Sequence, residues 1–358
     1  MEKDGFMDDL LKIKTISITA AMLRTIAEID EFKGAWTALG RLSPERLNNL
    51  RRVATIESIG SSTRIEGAKL SDREVDHLLS KIDVMAFTSR DEQEVAGYAA
   101  VMETVFAHYD AIDVTENHIK QLHRDLLQYA DKDERHRGAY KTVDNHVEAL
   151  GPDGESLGIV FETATPFETP AQMESLVAWT RSAIAEGELH PLIIIGVFVV
   201  VFLAVHPFQD GNGRLSRILT SLLLLRAGYE YVPYASLENV IEQTKEDYYR
   251  ALRATQGTLR TDSADWQPWM DYFLGALHSQ KRVLNEKIKR EKILLDSLSP
   301  LSLEILDIAR TQGRVTVAEA AKITGTSRNT VKDHLKALTE SGRLARHGAG
   351  RGTWYALA

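Results

Sequence analysis

The chain has 358 residues, 44% of them hydrophobic and 26% charged, with a net charge of −8. That balance describes an ordinary globular protein long enough for two or three domains, and it excludes a disordered or fibrous chain. Cysteine is absent, which rules out disulfides, thiol nucleophiles and cysteine metal sites and suits a reducing compartment. The first residues, MEKDGFMDDLLK, lack the basic-then-apolar order of a secretory signal, so the expected location is the cytoplasm.

Residues 1–100 read as a helical domain with Lys- and Glu-rich faces, a candidate surface for a homodimer. Within it, Glu45 to Glu66 forms one helix, with Ser43 as N-cap and Pro44 at the first position. Gly67 ends that helix as a left-handed cap. Ser71-Asp72-Arg73-Glu74 is a capping box that starts the next one. Glu66 therefore sits in a last turn, where its charge opposes the helix dipole. Such a local misfit can mark function.

Residues 101–275 form the expected central domain. Glu94 to Tyr109 and Thr115 to Tyr129 read as helices, followed by a long non-helical stretch from Arg137 to Thr169. Gly151-Pro152-Asp153-Gly154 separates two extended pieces there, Val143 to Leu150 and Leu157 to Phe161, as in a β-hairpin. Helix formation resumes at Thr169-Pro170. Leu192 to Val205 is almost unbroken hydrophobic sequence, but about six residues short of the roughly twenty that span a bilayer. A buried central helix is expected, and no membrane contact.

The run His206-Pro-Phe-Gln-Asp-Gly-Asn-Gly-Arg-Leu-Ser-Arg217 follows directly. Gly211 and Gly213 permit positive φ and let a ligand approach the main chain closely. Amides of such a turn, feeding the next helix, make an anion nest that favours phosphate. Arg214 and Arg217 lie three apart and project from one side of that helix, with forked donors suited to polyphosphate oxygens. Asp210 can ligate Mg2+, which takes one or two carboxylates and completes its shell with phosphates and water. His206, with an ordinary pKa near ~6.5, suits proton abstraction at neutral pH. Taken singly, His206 reads as a helix-end histidine and Asp210 as a capping residue; together they carry a mechanism.

Past the loop, Asn239 to Leu252 reads as one amphipathic helix bearing Glu242, Lys245, Tyr248 and Tyr249. Leu277 to Leu295 is a charged helix expected to serve as the connector, residues 276–298. Residues 299–358 carry a surplus of +4, leaving −12 for the rest. Their helices, Leu301 to Thr311, Val317 to Thr324 and Ser327 to Ser341, followed by a glycine-bearing hairpin, resemble a winged helix-turn-helix domain. Arg328, Asn329, Thr330 and Lys332 begin its recognition helix and are the candidate DNA contacts.

The residues from His206 to Arg217 resemble, at every specified position, the HxFx[DE]GNGRxxR signature of the Fic family. Most of its members transfer AMP from ATP to protein hydroxyls. The resemblance implies a mainly α fold, a Fic-type helical bundle with a small β-hairpin flap, joined here to the winged domain. It implies His206 as base, Asp210 on Mg2+, and ATP held by Gly211, Asn212, Gly213, Arg214 and Arg217. A tyrosine-bearing helix lines the adenine pocket in the family, which points to Tyr248 and Tyr249. The flap pins the target, with His146 and Val147 as candidate contacts. Ser62-x-x-x-Glu66-Gly67 is similar to the family's inhibitory motif, whose glutamate pairs with the second arginine, here Arg217.

The expected function is thus an autoinhibited protein adenylyltransferase acting on Ser, Thr or Tyr of a target protein, or on itself. The competing expectation is a nucleotide-sensing, DNA-binding transcriptional regulator with little transferase activity.

Overall fold

In the computed structural model the described residues are 15–38, 44–81, 87, 89–145, 147–150, 156–296 and 298–357. Two compact units are present, residues 1–284 and 285–358.

The larger unit is built around α7 (Pro191–Val205), in which every residue from Leu192 to Val205 is buried. A helix apolar on all sides must be enclosed on all sides. It packs on α6 (Thr169–Glu186), α8 (Asn212–Arg226) and α10 (Lys245–Gln256). Each fully buried Val, Leu, Ile or Phe contributes about 1.5–3 kcal/mol of transfer free energy, so this helix anchors the unit. Gly196 at its midpoint admits α11 (Gln267–Asp296): a Cβ there would lie 2.9 Å from Met270 Sδ. The Trp269 indole uses that space to donate 2.7 Å to the Gly196 carbonyl.

Around this centre stand α1 (Ala20–Ala38), α2 (Pro44–Ile65), α3 (Asp72–Leu79), α4 (Arg90–His108), α5 (Glu116–Leu126) and α9 (Leu237–Gln243). Local capping sets their starts. Ser71 and Ser89 each make a complete capping box, with Glu74 and Glu92. At the end of α2 the Gly67 amide reaches the Arg64 carbonyl at 3.0 Å and the Ala68 amide reaches Thr63 at 3.1 Å, with Gly67 at φ 106°. These two bonds are a Schellman stop, which leaves Glu66 as the last residue before the chain turns away. Ser43, the expected N-cap of α2, lies outside the described residues.

Strands β1 (Val147–Leu150) and β2 (Ser156–Phe161) form an antiparallel two-stranded hairpin. The first strand is shorter than the sequence suggests. Residues 143–145 stay out of it because the Asn145 side chain bonds the loop after α7 instead, as detailed below. Asn239 to Leu252 is also not one helix. It breaks at Thr244, whose hydroxyl engages the Val240 carbonyl and the Tyr272 hydroxyl at 2.8 Å each, separating α9 from α10. Helix α11 begins ten residues before the expected Leu277, and its first half is core, with Trp269, Met270, Phe273 and Leu274 buried.

The second unit has α12 (Pro300–Gln312), α13 (Val317–Thr324) and α14 (Arg328–Glu340), then the hairpin β3 (Leu344–His347) and β4 (Trp354–Leu357). Ile305, Ile308, Val315, Val331, Leu335, Leu338 and Leu344 make its core. Val315 joins the hairpin through two backbone bonds to Tyr355, of 2.7 and 2.8 Å. No helix among the described residues is long and apolar enough to cross a membrane.

Helix α4 meets α5 at Gly97, where a Cβ would strike the Leu126 carbonyl. Gly97→Ala is therefore expected to destabilise the larger unit by about 1–3 kcal/mol, as overpacking does, read as a lower urea midpoint.

Candidate functional site

Helix α7 ends at His206, the one described non-glycine residue with positive φ (52°). The left-handed turn stops the helix and swings the chain into Pro207–Gly211, and α8 starts from Gly211 at φ 79°. Such a conformation is costly for a residue with a Cβ and persists only where surrounding bonds enforce it. The Asn212 side chain closes the loop on itself, accepting from Phe208 N at 2.9 Å and donating to Phe208 O at 2.6 Å. Phe208 is fully buried and stacked on His123, ring centroids 3.8 Å apart.

Two buried polar side chains absent from the sequence-based set brace this loop. The first is His123 on α5, whose Nδ1 accepts the Gly138 amide at 2.9 Å. That bond assigns the ring proton to Nε2, which donates to the Asp210 carbonyl at 2.9 Å. The second is Lys141. Its ammonium donates to Asn145 Oδ1 (2.7 Å), Thr163 Oγ1 (2.9 Å) and the Val205 carbonyl (3.1 Å). Its amide donates to Pro207 O at 2.8 Å. Asn145 in turn donates to the carbonyls of Phe208 (2.6 Å) and His206 (3.3 Å). A single sequence offers a faint signal for His123 alone, a histidine set among the apolar face residues Ile119, Leu122 and Leu126.

Burial pushes the His206 imidazole down to about 4, with the Lys141 ammonium adding to the effect. Burial does the same for His123, also to about 4, and lowers Lys141 to about 8. His206 is therefore a neutral base at pH 7. Its Nδ1 faces the Leu203 carbonyl at 3.4 Å, so the Nε2 lone pair is the one left free.

Beside His206 opens a cavity of about 390 Å³ lined by Glu66, Asp210, Gly211, Gly213, Arg214, Tyr248 and Tyr249, among others. Arg214 is 2% exposed and pairs with Asp210 (3.1 Å) and with Glu94 of α4 (3.0 Å). Arg90 holds the same Asp210 oxygen at 2.9 Å. Burial opposes the charge of Asp210, but Arg214, the Gly211 amide and Arg90 keep its carboxyl below the usual range. Tyr248 is buried beside Trp269, and burial raises the phenols of both Tyr248 and Tyr249.

Arg217 lies deeper, 3% exposed. Its Nε donates to Ser62 Oγ at 2.8 Å, and its Nη2 donates to Ser62 O at 2.9 Å and Glu66 Oε1 at 2.8 Å. Burial works against its charge, yet Glu66 holds its pKa above the ordinary value. The Glu66 carboxylate rests on the glycine nest: a Cβ on Gly213 would lie 2.9 Å from Glu66 Cδ. Two buried guanidinium nitrogens, Arg214 Nε and Arg217 Nη1, have no hydrogen-bond partner among the described residues.

Of the expected contacts, His146 lies outside the described residues, as does the side chain of Val147, which is the first residue of β1. Gly67 stands at the Schellman turn, outside the cavity lining. Asn212 spends its amide side chain on Phe208. Arg328, Asn329, Thr330 and Lys332 lie together in the other unit, exposed at the start of α14.

The helical bundle thus sets a buried histidine beside an arginine-lined glycine nest. Its kin are specific. A Fic/DOC family model matches residues 113–224, and a winged helix-turn-helix DNA-binding model matches residues 298–344. The chain thus carries a Fic-type domain around residues 113–224 and a winged helix-turn-helix domain around residues 298–344. Protein adenylyltransferase Fic of Drosophila grimshawi is 27% identical over 240 residues, covering 66% of this chain and 45% of that protein. Its Drosophila melanogaster counterpart is 28% identical over 240 residues, covering 66% and 44%. The chain thus spans under half the length of these relatives. Among solved structures, a Fic family protein from Desulfovibrio desulfuricans G20 shares the fold, with a TM-score of 0.62 at 24% identity over 96% of this chain and 97% of that one. A Fic domain containing signalling protein from Bacteroides thetaiotaomicron VPI-5482 has a TM-score of 0.58 at 25% identity, over 72% and 94%.

The two buried histidines give a pH prediction. Each folded pKa lies below the unfolded value near ~6.5, so the unfolded chain binds more protons between that pH and about 4. Their contribution to stability is complete above pH ~6.5 and lost as pH falls through about 4. Imidazole NMR should find both rings neutral down to about pH 4, and Lys141→Met should move the His206 midpoint upward.

Proposed function

We propose that this protein is a protein adenylyltransferase, moving AMP from ATP to a Ser, Thr or Tyr hydroxyl of a target protein, and that Glu66 holds it back. The observation that carries the reading is the Glu66 carboxylate on the Gly213 nest, paired to Arg217 at the edge of the cavity that His206 and Arg214 line. A carboxylate already stands where an anionic group of a substrate would bind.

The chemistry follows from the chain's own groups. Amides of Gly211 to Gly213 at the start of α8 and the spare nitrogens of Arg214 and Arg217 receive phosphate oxygens. Tyr248 and Tyr249 offer aromatic surface to the adenine. His206 Nε2 takes the proton of the acceptor hydroxyl, whose oxygen bonds to the α-phosphorus while the bond to the bridging oxygen breaks and pyrophosphate leaves. Asp210 fits a magnesium role: a carboxylate held in the ionised state, at the cavity wall, beside the nest. When bound, Mg2+ neutralises charge on the phosphates. The hairpin β1–β2 pairs only with itself among the described residues, which leaves strand edges for a target segment.

The reading predicts that Glu66→Gly raises incorporation of label from α-labelled ATP, into the protein itself or a lysate target, by about tenfold or more. Adding His206→Ala should cut that signal by about 10²–10⁴. No labelling from a folded, ATP-binding Glu66→Gly protein would overturn it in favour of a nucleotide sensor.

A second activity rests on α14. It buries Val331, Leu335 and Leu338 while Arg328, Asn329, Thr330 and Lys332 face solvent, the division a groove-reading helix needs. If it binds duplex DNA, Arg328→Ala/Lys332→Ala in the full chain lowers affinity and reduces the salt slope by about one per lost phosphate contact. Fluorescence anisotropy across a salt series reads both, and a slope equal to the parent's would remove these two residues from the interface.

A further inference from the structure

The last turn of α2 carries a second charged anchor that points away from the cavity. Arg64 Nε donates to Glu242 Oε1 at 2.6 Å and Nη2 to Oε2 at 2.9 Å, a two-pronged, charge-assisted pair. Its Nη1 donates to Asp72 Oδ1 and to the Leu70 carbonyl, both at 2.9 Å. The pair is shielded, with side chains 22% and 26% exposed, so it outranks an ordinary surface ion pair. The pairing with Glu242 raises the Arg64 pKa. Gly60, one turn earlier, makes room for the fork, since a Cβ there would lie 2.6 Å from Nη1 and 2.7 Å from Asp72 Oδ1.

The geometry places this anchor between two parts of the site. Arg64 is two residues from Glu66, with buried Ile65 between them. Glu242 is near the end of α9, just before the Thr244 break and the α10 residues Tyr248 and Tyr249 that line the cavity. Arg64 does not itself line that cavity. Past Glu66 the chain turns at Gly67, and this helix end is held by the two Schellman bonds, buried Ile65, the contacts of Ser62 and Glu66 with Arg217, and the Arg64 fork.

We propose that Arg64, through its two-pronged pair with Glu242, is a positioning residue that sets how firmly Glu66 obstructs the cavity. It rests on the reading of Glu66 as a brake. Breaking the pair removes one of these ties and loosens the end of α2, and Glu66 then spends less time on the Gly213 nest. Arg64 acts through Glu66 and touches neither nucleotide nor acceptor.

A mutant cycle on the full chain separates this from a merely structural tie. Glu242→Gln keeps the shape and removes the charge, and Arg64→Lys keeps the charge and loses the fork. Glu242→Gln is expected to raise label incorporation from α-labelled ATP about five- to tenfold over the parent, with Arg64→Lys intermediate. Calorimetry with ATP should show tighter binding for both. In the Glu66→Gly background neither substitution should change either quantity, because the element being positioned is gone. Glu242→Gln at the parent level, beside an active Glu66→Gly, overturns the latch and leaves the brake standing. An equal change in both backgrounds overturns it as well, since Arg64 would then act on packing. If Glu66→Gly is itself no more active than the parent, the brake fails and the latch with it.

Discussion

A guanidinium that is 3% exposed must have a negative or strongly polar partner, and Arg217 imposes that requirement on the whole site. Ser62 satisfies its Nε and part of its Nη2 through hydroxyl and carbonyl, but neither group carries charge. Compensation has to come from an anion, and Glu66 supplies it from a helix that is 151 residues away in sequence. This demand explains why α2 packs against the rest of the site with a hydroxyl and a carboxylate four residues apart, on one face of its last turn. Any phosphate entering the nest offers Arg217 the same compensation, so carboxylate and phosphate compete for one cation.

The other half of the site is rigid for a different reason. His206 sits in a backbone conformation that a residue with a Cβ resists. The structure holds it there with bonds from three directions: Asn212 within the loop, Asn145 and Lys141 from the segment before the hairpin, and His123 from α5. Each brace ends on a main-chain atom between Val205 and Asp210, so the loop cannot relax locally. An imidazole held this firmly suits the proposed role of base, since it needs no reorganisation to accept a proton. The buried Lys141 beside it works in the same direction, by favouring the neutral imidazole.

The legible part of this molecule is the contiguous part. Twelve residues from His206 to Arg217 carry their own turn chemistry, and the structure brings His206, Asp210, Gly211, Gly213 and Arg214 to one cavity wall. Helix starts at Ser71 and Thr115 and the buried character of α7 follow from local pattern in the same way. The braces are illegible because their partners are distant: Lys141 and Val205 are 64 residues apart, His123 and Asp210 are 87. The helix break at Thr244 is likewise a tertiary event, since the Tyr272 hydroxyl that shares its hydrogen bond comes from another helix. Short pieces at the hairpin were readable as extended backbone, but where pairing begins depends on Asn145 being drawn into the loop. Arg90, which shares the Asp210 oxygen with Arg214, lies 120 residues away and has no local signature at all.

The asymmetry between the two partners decides which one moves. Arg217 is enclosed and bonded to Ser62 by two of its nitrogens, whereas the Glu66 side chain is 32% exposed at the end of a helix that stops on glycine. Withdrawing Glu66 toward water restores its own hydration, and the buried charge it leaves on Arg217 then calls for another anion in its place, whereas Arg217 has no route to water. The carboxylate is therefore the mobile element and the guanidinium the fixed one. On the proposed reading, a brake built this way lifts without disturbing the groups proposed to hold phosphate, because nest, Arg214 and Arg217 keep their places. The strength of the proposed brake then depends on how tightly the end of α2 is held, by its Schellman bonds and by the Arg64–Glu242 pair on the side away from the cavity.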